Sequence, residues 1–148
     1  EVLEKLYGDI RSTENRLHLA ELAPVEAIRR LVEFTFDHHD RNVDFVRIVS
    51  IENIHNAEYV KRSDAIKAMN NTILDSLGEI LRRGAAEGVF RVGLDALDVH
   101  LLISSFCFYR VSNRHTFGEI FQIDLPDESI KQRHREMICE SVLRYLQA

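Results

Sequence analysis

Leu97-Asp98-Val99-His100-Leu101-Leu102-Ile103-Ser104-Ser105-Phe106-Cys107-Phe108-Tyr109-Arg110-Val111 is the stretch whose reading decides the fold. It reads as a helix opened by Asp95 or Asp98, and it is apolar nearly all round. A helix on a protein surface shows one apolar stripe, so this one has to be covered on two sides. In a short chain one side can be the chain's own core. The other side is most simply a second subunit, with enclosure inside a single subunit as the plainer alternative.

The rest of the chain agrees with a helical reading. Of its 148 residues, 45% are hydrophobic and 29% charged. That length suits one domain, residues 1–148, burying roughly two-thirds of its unfolded surface. The apolar content excludes disorder. Cys107 and Cys139 alone cannot staple a miniature fold, and two unpaired thiols suit a reducing, cytoplasmic compartment. No apolar run approaches the roughly 20 residues that cross a bilayer, so no membrane partner is expected. A net charge of -5 argues against these residues holding nucleic acid.

Pro24, Pro126 and most glycines fall between apolar stretches and punctuate helices there. The first helical segment, about 1–22, carries Val2, Leu3, Leu6, Ile10, Leu17 and Leu19. The second opens at Pro24, which suits a first helical turn, and ends at His38-His39-Asp40. The third, about 42–55, is β-branched like a strand, but its spacing at 45, 48, 49 and 52 is helical. The polar linker 56–62 is expected to be irregular. Ser63 is an N-cap candidate for a long helix striped by Ile66, Met69, Ile73, Leu77, Ile80 and Leu81, with Gly88 as a left-handed stop. The last helix follows Pro126-Asp127-Glu128. The expectation is all-α, with about six helices.

Signatures of metal or catalytic chemistry fail one by one. Glu52-Asn53-Ile54-His55 supplies a single Glu-x-x-His step where a di-iron bundle uses two. His38 and His39 are neighbours on a helix and point about 100° apart, which suits solvated or capping residues. There is no nucleophile elbow, phosphate-cradling loop or His-Glu-x-x-His. No metal, cofactor or enzymatic activity is expected. What remains is a scatter of polar residues in apolar stripes: Asn53, His55, Asn70, Ser105, Tyr109, Arg110 and Asn113. Each alone can bond backbone or water; as a set they fit an apolar pocket with a few placed polar groups.

Several stretches carry a family resemblance. Residues 73–84, Ile-Leu-Asp-Ser-Leu-Gly-Glu-Ile-Leu-Arg-Arg-Gly, resemble the long central helix of the TetR-family transcriptional repressors. Glu87-Gly88-Val89-Phe90-Arg91 followed by Asp95-Ala96-Leu97-Asp98 resembles that family's "G-x-F-R … D-x-x" connection, and residues 112–117 with Ile120-Phe121 resemble a segment found after the penultimate helix. Residues 135–146 resemble the closing dimerisation helix. The front departs from the pattern, since the family's basic helix-turn-helix has no counterpart here and Glu1–Tyr7 resembles the helix just after it. A truncated chain, with DNA contacted only through a missing N-terminal module, is the expectation, and a natural stand-alone effector domain is the alternative.

The resemblance implies an effector-binding and dimerisation domain. The expected cavity lining is Phe34, His38, Phe45, Val49, Asn53, Met69, Asn70, Ile73, Phe106, Tyr109 and Arg110, and the expected effector is a small aromatic or aliphatic acid. The expected homodimer joins the last two helices of each copy as a four-helix interface through Leu101, Ile103, Phe106, Phe108, Met137, Ile138, Val142 and Tyr145. A ligand-free dimerisation domain and, further off, a small helical metal carrier or enzyme are the alternatives. Arg110 has three open roles: pairing with an acid such as Glu52, reaching solvent, or holding an anionic ligand.

Overall fold

The computed structural model describes residues 1–148. They form eight α-helices and one short 3-10 turn: α1 Val2–Asn15, the turn Leu19–Glu21, α2 Pro24–Arg41, α3 Val43–Ile54, α4 Glu58–Lys61, α5 Asp64–Ala86, α6 Ala96–Ser112, α7 Arg114–Phe121 and α8 Glu128–Leu146. The all-α expectation holds, with eight helices where about six were expected. The first segment is not one helix to Leu22; it stops at Asn15, and His18 takes a left-handed backbone (φ 51°) before the 3-10 turn. The linker expected to be irregular contains α4, which Glu52 starts by accepting the Tyr59 and Val60 N–H groups at 3.2 Å each.

Local chemistry sets the helix ends. Pro24 stands in the first turn of α2. Ser63 accepts the Ile66 N–H at 3.2 Å, Asp95 accepts those of Leu97 and Asp98, and Asp127 accepts those of Ser129 and Ile130. Each satisfies donors that a helix start would otherwise leave orphaned. After α5, Gly88 turns the chain at φ 76° and sends Phe90 back over Gly84. Arg91 N–H then bonds the Leu146 carbonyl at 2.8 Å, tying this loop to the end of α8.

The helix α6 runs through the middle, touching α2, α3, α5, α7 and α8. Its Val99, Ile103 and Cys107 join Ile28, Val32, Phe36, Leu77, Ile80, Val142 and Leu146 in the main core. A smaller cluster, Phe45, Val46 and Val111 with Leu6, Tyr7, Val49 and Phe108 around it, lies where α3 packs between α1 and α6. Fully burying a side chain of this kind stabilises by about 1.5–3 kcal/mol. On the outer side of α2, Arg135 of α8 holds Asp37 (2.9 and 3.0 Å) and Glu33 (2.6 Å), and Lys131 holds Asp40 at 3.0 Å.

The second covering that α6 requires is missing within the chain. Leu97, Leu101 and Tyr109 remain 58%, 66% and 50% exposed, and Met137 and Tyr145 of the adjacent α8 are also exposed. Ile103, Ile138 and Val142, expected at a subunit interface, are instead sealed in the chain's own core. Phe108 turns the other way, its ring edge against His39. Phe106 is half-buried, edge-on to His134. The helical repeat explains the split: positions 99, 103, 107 and 110 share the inward face, whereas 97, 101, 105 and 109 fall one turn apart on the outward one.

Candidate functional site

Five helices line a half-open cavity of about 420 Å3 beside the smaller cluster. Each brings residues spaced by a helical turn. From α1 come Tyr7, Ile10, Arg11 and Glu14; from α2, Thr35 and His39; from α3, Phe45 and Val49; from α5, Ile66, Lys67 and Asn70; and from α6, His100, Ser104 and Phe108. Val60 of α4 completes the rim.

Aromatic surface dominates one wall. His39 lies parallel to Phe45 at 5.6 Å, Phe108 meets His39 edge-on at 5.9 Å, and Tyr7 meets Phe45 edge-on at 5.3 Å. Burial, reinforced by the neighbouring His38, Arg11 and His100, pushes the His39 imidazole down to about 3, so it is neutral at physiological pH. Burial, with Arg11 nearby, lowers His100 as well. The Tyr7 phenol is raised, chiefly by burial, and keeps its proton.

The opposite wall is polar but internally paired. Arg11 Nη1 donates to both Glu14 carboxylate oxygens at 2.9 Å, while its Nε and Nη2 donate to Asn70 Oδ1 at 3.0 and 2.8 Å. Asn70 in turn donates to the Ile66 carbonyl at 2.7 Å. Glu14 is only 5% exposed. Burial pulls its pKa up and Arg11 pulls it back. The side chains of Tyr7, His100 and Ser104 form no hydrogen bond within the chain, yet no buried polar atom is left sealed without a partner. Their polar atoms therefore keep some accessible surface, and all three residues line the cavity. This is an apolar chamber with a few convergent polar groups, the usual make-up of a small-molecule site.

Residues 24–142 match the family described as tetracyclin repressor-like, C-terminal domain. Over 145 residues, 98% of this chain and 68% of the relative, the sequence is 32% identical to the HTH-type transcriptional repressor NicS of Pseudomonas putida (strain KT2440). The chain belongs to the TetR family of transcriptional regulators. No helix of this TetR-family chain is long and apolar enough to cross a membrane.

Within this TetR regulatory fold the residues expected to line a cavity are scattered. Phe45, Val49 and Asn70 do line it. Phe34 and His38 border a separate groove on the outer side of α2, with Asp9, Arg30 and Asp37. Asn53 is exposed and donates to the Val49 carbonyl. Ile73 is sealed in the main core, Met69 lies against Gly8 at the α1–α5 crossing, and Tyr109 faces outward beside Phe117. Arg110 is buried away from the cavity: its Nη2 donates to the Leu125 carbonyl at 2.8 Å, its Nε to His134 Nδ1 at 3.0 Å, and its guanidinium lies over Phe36. It pairs with neither Glu52 nor solvent. The adjacent histidines, expected to diverge, meet through their Nδ1 atoms at 3.3 Å, because His39 turns inward against Phe45 and His38 folds over it.

Sequence reasoning missed Tyr7, Arg11, Glu14, Thr35, His39, Ile66, His100 and Ser104. A signal was there to read. Tyr7, Ile10, Arg11 and Glu14 are spaced i, i+3, i+4 and i+7, and His100, Ser104 and Phe108 are one turn apart on the helix already singled out. Polar residues that repeat on one helical face mark a cavity wall better than polar residues that merely interrupt an apolar run.

Proposed function

We propose that this chain is the ligand-sensing and dimerisation part of a TetR-type repressor, and that the cavity among α1, α2, α3, α5 and α6 receives a small organic effector. The observation that carries this reading is the chamber itself, about 420 Å3, lined by an aromatic wall and by Tyr7, His100 and Ser104, whose side chains form no hydrogen bond within the chain. The bare stripe Leu97, Leu101 and Tyr109 with Met137 and Tyr145 supports pairing with a second copy along α6 and α8. The relative is named for a helix-turn-helix, and in our reading the operator is read by such a module outside residues 1–148, with the chain acting as one domain. An effector shifts such a regulator only if it binds one arrangement more tightly than the other. The helix α1, which walls the cavity and packs on α5, α3 and α2, is the element whose tilt an occupant changes.

Two substitutions test the two halves. Ser104→Trp fills the chamber and should abolish the rise in melting temperature that bound small molecules give the wild type, while leaving the oligomeric state intact. Leu101→Glu should yield folded monomer in sedimentation at micromolar concentration. An unchanged ligand response in the first, or an unchanged dimer in the second, overturns the corresponding half.

A further inference from the structure

Resting on that reading, we infer that the effector is an uncharged aromatic molecule of one or two rings, and that the Arg11–Glu14 pair excludes its carboxylated analogues. The expectation of an acid rested on Arg110 as the carboxylate grip. Arg110 lies outside the cavity and spends its donors on Leu125 and His134. Two cations line the cavity: Lys67 stands exposed at its rim, and Arg11, on the wall, is already committed.

Four hydrogen bonds hold it, two to Glu14 and two to Asn70, with the Arg11 and Glu14 side chains only 11% and 6% exposed. An incoming carboxylate would have to take Arg11 from Glu14, leaving Glu14 buried without its partner, or displace Asn70 and sit on the same guanidinium as the Glu14 carboxylate. Either is costly where the dielectric is low. A cationic ligand meets the mirror problem, with Arg11 facing it.

The other titratable groups around the chamber do not change this balance. His39 and His100 are neutral, and Tyr7 keeps its proton. Lys67 is exposed at the rim, its ammonium donating to the Lys61 carbonyl at 3.2 Å. The chamber therefore offers stacking surface on Phe45, Phe108 and Tyr7 together with neutral hydrogen-bonding groups on Tyr7, His100 and Ser104. At about 420 Å3 it is at the small end for ligand sites, which admits one or two rings.

The test pairs each neutral probe with its acid: benzamide with benzoate, and indole with an indole carboxylate, each titrated calorimetrically against the wild type and Glu14→Gln near neutral pH. The neutral member of each pair should bind the wild type about tenfold more tightly or better than the acid, the ratio that one charge-assisted contact controls. Glu14→Gln releases the Arg11 charge and should strengthen acid binding by about tenfold, so that the neutral-to-acid affinity ratio of each pair falls by about that factor. Acids binding the wild type as well as or better than the neutral probes would overturn the inference and leave the effector cavity standing. Binding of none of the four probes to either protein would overturn the inference, and the Ser104→Trp comparison with a wider set of small molecules then decides whether the effector cavity itself stands. If Glu14→Gln does not fold, the wild-type ratio alone decides.

Discussion

Removing the Arg110 side chain should destabilise the protein without touching the cavity. Arg110→Ala deletes a 2.8 Å bond to the Leu125 carbonyl and a 3.0 Å bond to His134. Hydrogen bonds from a charged group contribute about 1.5–3 kcal/mol each. Its guanidinium, 4.8 Å from the Phe36 ring centroid, adds a cation–π contact of about 1 kcal/mol. Against these stands the cost of burying the charge, visible in the lowering of Arg110 by desolvation. The alanine variant recovers that cost but leaves the Leu125 carbonyl short of a donor. A net loss of about 2–3 kcal/mol follows, and at about 2–4 °C per kcal/mol for a domain of this size the melting temperature should fall by about 4–12 °C. Scanning calorimetry gives the fall, and titration with the neutral probe that binds best gives the affinity. A variant that melts like the wild type but binds the probe markedly more weakly would refute the structural assignment and restore Arg110 to the ligand.

The His39 imidazole, at about 3 when folded and near 6.5 when unfolded, makes the unfolded chain bind an extra proton between those values. Stability should therefore fall as pH drops from about 6.5, by up to about 1.4 kcal/mol per unit from this group, and denaturant melts of His39→Gln should show a shallower fall. Gly84→Ala should cost about 1–3 kcal/mol, since a Cβ there overlaps the Phe90 ring and forces it off Gly84; an unaltered urea midpoint would show that the ring moves freely. Burial pushes the Cys107 thiol up to about 12, so an aromatic disulfide reagent should label it only after unfolding.

The sequence made helix starts legible because capping is local: Ser63, Asp95 and Asp127 each act within three residues of themselves. The bare side of α6 was legible for a similar reason, since a helix apolar all round has to leave one side for something else. The cavity was not, because it depends on which faces five helices turn toward one another. Tyr109 and Arg110 drew notice as polar groups near a helix end, yet they lie off the face of His100 and Ser104 and point elsewhere. The short helices α4 and α7 were hidden too. Both are held by contacts outside their own sequence or at their ends, such as Glu52 reaching the start of α4.

The charge pair at the cavity wall gives the history of such a pocket a direction. Glutamate can shed its charge by taking up a proton, and burial already raises its pKa. Arginine has no such escape. A lineage moving from this pocket to a wholly apolar one can therefore lose Arg11 first and pass through a neutral acid. The reverse order strands a permanent cation in the wall. Among descendants, Glu14 without Arg11 should be a habitable intermediate, and Arg11 without Glu14 should persist only where the ligand itself brings the missing negative charge.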